Sequence, residues 1–192
     1  KAGSVIERIA PWTGADMAPM VFILWSCAVA LYHSVQGDLE SCRKSVEAGL
    51  ALAGSTGLHA FDFLLAAQMA RCSLVTGELA EADTWLAMMG KTMRSHSHLN
   101  GAFYRHFQSN AAAQRGDWQQ ALDHARSGMA MALESGVPFL EAHCHIELAR
   151  ALLGCGDGSE WAEHIDAARS IGQAMSSRVV DYLCLEAEAT AA

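Results

Sequence analysis

Four Gly-acid dipeptides, Gly37-Asp38, Gly77-Glu78, Gly116-Asp117 and Gly156-Asp157, recur at intervals of 40, 39 and 40 residues. Self-similarity at such a period marks a stacked-repeat architecture rather than a single globular core. Each pair follows one long apolar stretch and precedes another, so it reads as the tight turn of a helical hairpin. Glycine supplies the left-handed residue that ends the first helix, and the acid opens the second. Val and Ile never alternate with polar residues over a strand length, which excludes a sheet. The spacing predicts helices over 19–36, 38–54, 59–76, 78–94, 99–115, 117–134, 138–154, 159–175 and 179–190.

Laying the hairpins over one another adds a second signal. Seven residues before each turn glycine stands a small residue: Ala30, Ala70, Ser109 and Ala149. Five after it stand Cys42, Ala82 and Ala121, and Ala162 takes that place in the fourth repeat if one residue is inserted before it. Small side chains here let paired helices approach closely. Leu39, Leu79 and Trp118, two after the glycine, are placed to seal the hairpin corner.

This combination resembles the tetratricopeptide repeat (TPR), over roughly residues 18–178. The aromatic eleven before the turn is missing (Ser26, Ala66, Arg105, His145), and the period exceeds the usual repeat by about six residues. The resemblance implies an all-α, right-handed α-solenoid, and with no linker dividing the chain a single domain is expected over residues 1–192. Period, Gly-Asp turns and Ala-rich helices also look like the sensor region of large maltose-activator-like, LuxR-type ATP-dependent transcription regulators. That context implies a protein or peptide partner, or a small-molecule inducer, in the cytoplasm. The alternative is a TPR adaptor that holds proteins together without a regulatory role.

Composition narrows the function classes. Net charge is −8 with no Lys/Arg run, which argues against a nucleic-acid surface on this chain. Six cysteines without a CxxC pair fit reduced thiols acting as small hydrophobes. Between Asp16 and Asp38 no residue carries a formal charge, but Ser26, His33, Ser34 and Gln36 interrupt the run and the repeat register continues through it. We read it as a repeat helix packed on both sides, not as a membrane span. Val5–Ala10 looks like the tail of an earlier helix and 179–190 like the start of another hairpin, so the chain is expected to be part of a longer protein and to self-associate through its ends.

First helices of such repeats present equivalent positions as ridges. Six before the turns stand Leu31, Arg71, Asn110 and Arg150, and nine before, Ala28, Gln68, Phe107 and Glu147. Ten before come Cys27, Ala67, His106 and Ile146, and thirteen before, Leu24, Leu64, Phe103 and His143. Arg71 and Arg150 flanking Asn110 offer donors to a carboxylate, with Phe103 and Phe107 adding apolar contact. Carboxylate-binding TPR modules use the same kind of groove, but their Lys-rich clamp is absent here. The competing reading is a solvated surface with local pairs such as Glu147–Arg150.

No metal, cofactor or catalysis is expected. His143-Cys144-His145 and His96/His98 are too close along one segment to converge on an ion, and no GxSxG, P-loop or HExxH motif is present. The five tryptophans, Trp12 among them in a loop, are expected mainly to fill gaps between helices.

Overall fold

The computed structural model describes residues 2–9, 17–93, 97–157 and 160–191. Trp12 and His96 fall outside them. The helices are α1 (Ala2–Ile9), α2 (Pro19–Gln36), α3 (Leu39–Thr56), α4 (Asp62–Thr76, entered through a 3-10 turn at His59–Phe61), α5 (Leu79–Thr92), α6 (His98–Gln114), α7 (Trp118–Ser135), α8 (Pro138–Gly154), α9 (Trp161–Ala174) and α10 (Arg178–Ala191). No strand occurs among the described residues. Predicted and observed ends agree within three residues. His98, expected in a loop, instead opens α6 behind the Ser97 cap and pairs with Glu134 at 2.6 Å.

The turn chemistry is as the dipeptides imply. Gly37, Gly77, Gly116 and Gly156 all have φ between 70° and 78°, a conformation that costs an L side chain but not glycine. In the first and third hairpins the acid caps the second helix instead of lying inside it. Asp38 Oδ1 accepts from Ser41 N and Asp117 Oδ1 from Gln120 N, both at 3.1 Å, satisfying amides that a helix start leaves open. Hydrogen bonds from Ser41, its side chain first and then its amide, hold the Asp38 carboxyl below its ordinary pKa.

Chain contacts divide the molecule into two compact units, residues 1–92 and 93–192. In the first, α2 pairs with α3, α4 pairs with α5, and α4 packs on both α2 and α3. Its core joins Ile23, Ala30, Cys42, Val46, Leu65, Met69 and Cys72. Gly49 sits where three helices meet: a Cβ there would stand 3.0 Å from the Leu65 methyls and 3.1 Å from Ser26 Cβ. In the second, α6 pairs with α7 and α8 with α9, α8 packs on α6 and α7, and α10 packs on α8 and α9.

Both small-residue positions are buried as expected in the first three hairpins. Ala30, Ala70, Ser109 and Ala149 are at most 1 % exposed, and Cys42, Ala82 and Ala121 are fully covered. The fourth hairpin departs from expectation. Ala162 is exposed, and half-buried Trp161 stands five after Gly156 with no insertion. The buried ridge of α9, Ile165, Ala168 and Gly172, keeps the same offsets from its turn as Val46, Gly49 and Ala53 of α3. The indole replaces the missing small residue by packing at the edge of two core clusters.

The buried thiols match the reduced-hydrophobe reading: Cys42, Cys72, Cys144 and Cys184 are buried, and burial pushes Cys42 and Cys144 up to about 12. The expectation for α2 needs correction. Only 22 % of this helix is buried, and Val21, Leu24, Leu31 and Val35 are 42–61 % exposed. One side of α2 is packed; the other is open.

Candidate functional site

The predicted ridges fall on first helices, in two separate units. On α4, Gln68 and Arg71 are half-buried. Gln68 Nε2 donates to the Leu64 carbonyl at 3.2 Å, and desolvation lowers the Arg71 guanidinium pKa. Nearby ridge positions on the same unit, Leu24, Leu31 and Leu64, are 38–44 % exposed, so this part of the surface is largely apolar.

The second unit brings together more of the predicted set. Asn110 on α6 and Glu147 and Arg150 on α8 line one open groove of about 600 Å³, with Ala113, Gln114, Trp118, Leu153 and Gly154. The register accounts for the convergence: α8 packs on α6, and Asn110 and Arg150 each stand six before their turn glycine. Asn110 Oδ1 accepts from Gln114 Nε2 at 2.8 Å.

Arg150 is already bound. Its Nη1 donates to Glu147 Oε1 at 3.1 Å and its Nη2 to Glu186 Oε2 on α10 at 2.7 Å. Glu147 is 3 % exposed, so burial raises its carboxyl pKa while Arg150 and then His143 oppose that rise. The guanidinium therefore balances a buried carboxylate first and reaches solvent second. The local-pair reading describes this contact better than a free fork awaiting a ligand does.

The remaining predicted residues divide between core and flank. Phe107, at 3 % exposure, belongs to packing between helices and offers no open apolar contact. Half-buried Phe103 packs on the α6–α8 core. His106 stacks edge-on to His143, centroids 5.5 Å apart, and its Nδ1 lies 3.9 Å from Glu147 Oε1. His143 in turn tilts against Phe139 at 4.4 Å. Among the described residues, no three His, Cys, Asp or Glu side chains gather where they could hold a metal ion.

Sequence reasoning missed the groove's largest apolar element. Trp118, 36 % exposed, lies over Gly154 at the end of α8. Two positions carry the signal. Two after the turn, Leu39 and Leu79 give way to Trp118; two before it, Val35, Val75 and Gln114 give way to Gly154. A large residue in one repeat meets the loss of a side chain in the next.

No family model matches this chain, and no curated protein matches it. Solved structures do match, among them two of nearly identical TPR-like repeats assigned to a kinesin light chain of Podosopora anserina. The Q17M form shares 19 % identity over 91 % of this chain and 85 % of its own, with a TM-score of 0.56. The second shares 22 % identity over 92 % and 86 %, with a TM-score of 0.54. At such identities the likeness is one of fold: this chain has the all-α, TPR-like repeat fold of the α-solenoid class.

Proposed function

We propose that the chain is a non-catalytic binding module that holds an extended or helical polypeptide segment in the groove of its second unit. The supporting observation is the groove itself: an exposed indole beside a Gly-cleared floor, with the Asn110–Gln114 amide pair at its wall and Arg150 at its edge. An aromatic platform flanked by a few oriented polar groups suits peptide recognition, because it gives apolar area with little side-chain entropy to lose. The Asn110 side-chain amide can donate to a peptide backbone carbonyl.

Within that reading, the repeat style supports a more specific setting: the inducer- or partner-sensing repeats of a cytoplasmic, LuxR-type ATP-dependent regulator. A parent sequence with a P-loop upstream and a helix-turn-helix downstream is the outcome this setting requires.

Peptide display panned in parallel on the parent chain and on Trp118→Ala tests the module. Sequences enriched on the parent should lose roughly tenfold or more in affinity on the variant, the scale of a hot-spot aromatic. Peptides that bind both proteins equally would place recognition elsewhere.

A further inference from the structure

Two imidazoles 19 positions apart in sequence meet between α8 and α9. His145 Nδ1 stands 2.9 Å from His164 Nδ1, with ring centroids 5.1 Å apart. Both rings are half-buried, so each keeps an edge to solvent. A contact between two such nitrogens requires one ring to carry its proton on Nδ1 and donate, while the other carries its proton on Nε2 and accepts. The repeat does not impose this pairing. The same offsets from the turn hold Ser26 and Ser45, Ala66 and Trp85, and Arg105 and His124 in the other hairpins. Only the third of these makes a comparable contact, Arg105 Nη1 to His124 Nδ1 at 3.3 Å.

We propose that His145 and His164 form a two-imidazole site for a divalent transition-metal ion, clasping α8 to α9. The nitrogen separation fits neighbouring corners of a tetragonal coordination sphere. Metal–nitrogen bonds of about 2.0–2.1 Å at a right angle place two nitrogens about 2.9 Å apart. That geometry favours Cu²⁺ or Ni²⁺ over tetrahedral Zn²⁺. The ion would lie beside the present N–N line, so each ring turns to aim its lone pair at it. The donor ring moves its proton from Nδ1 to Nε2 by exchange with water, leaving both rings neutral and releasing no proton. Water fills the remaining coordination positions.

The surroundings support a cation. Glu160 and Glu163 add negative potential around His164. Spacing along one helix could not reveal this pair, because its members come from two helices.

Copper EPR and nickel calorimetry on the whole chain test the site. One equivalent of Cu²⁺ should give a spectrum coupled to two imidazole nitrogens. His145→Gln and His164→Gln should each weaken Ni²⁺ binding by at least the ~10- to 100-fold that loss of even an outer-shell partner costs. His124→Gln, on the neighbouring hairpin, should leave it unchanged. A Cu²⁺ spectrum with one coupled nitrogen would overturn the proposal whatever the variants do. So would a folded double variant, His145→Gln with His164→Gln, that binds Ni²⁺ as the parent does.

Discussion

Trp118 of α7 covers Gly154 of α8 so closely that a Cβ at position 154 would fall inside the indole. The groove in the second unit depends on that vacancy: glycine lets the indole lie down, and the indole becomes the groove's apolar wall. Gly154→Ala should therefore lift the ring. The helix gains up to about 1 kcal/mol from alanine propensity, while the overpacked contact costs about 1–3 kcal/mol. We expect a net loss of stability of up to about 2 kcal/mol and a red shift of tryptophan emission, with no such shift when the substitution is made in a Trp118→Phe background.

Ala149 is fully covered and packs with Ile165 and Ala168 at the α8–α9 crossing. Ala149→Leu should destabilise by about 1–3 kcal/mol, read as a lower urea midpoint at unchanged slope. An unchanged midpoint would contradict the register assigned to the fourth hairpin.

Ser176, with φ of 53°, is the only non-glycine residue among those described with positive φ. It stands 40 residues after Gly136, which ends α7 at φ 63°. Ser176→Gly should relieve the left-handed strain and stabilise by about 1 kcal/mol. A loss of stability would show that the serine side chain contributes more than its backbone costs.

Removing Arg150 strands Glu147. Because burial already raises that carboxyl pKa in the folded chain, its contribution is complete at low pH and is lost as pH climbs above the ordinary carboxylate range. Arg150→Met should cost about 3 kcal/mol at neutral pH and much less near pH 4. His145 has the opposite slope. Its folded pKa, about 4, lies below the free value of 6.5, so stability should fall as pH drops from 6.5 toward 4. His145→Gln should flatten that part of the urea-midpoint profile.

The fold was largely legible in sequence because its determinants are local. A left-handed glycine, a capping acid and a small residue at a crossing each act within a few positions and repeat. The groove was only half legible. Register alone brought Asn110 and Arg150 to one place, but register says nothing about partners. Glu186, which takes one prong of Arg150, lies 36 residues away on another helix. Phe107 faces the core because α6 turns that side to its neighbours, a rotation that ridge counting does not determine. The open side of α2 was misread for a related reason: apolarity shows that a face seeks cover, not that this chain supplies it.

Site-specific photocrosslinking tests polypeptide binding at the second-unit groove most directly. A benzophenone side chain at Gln114, on the groove wall, is compared in cells with one at Arg126, exposed on α7. Discrete adducts with a polypeptide at Gln114, absent at Arg126 and lost on adding Trp118→Ala, are the predicted result. Identical adducts at both positions, or adducts at Gln114 that survive loss of the indole, would contradict it.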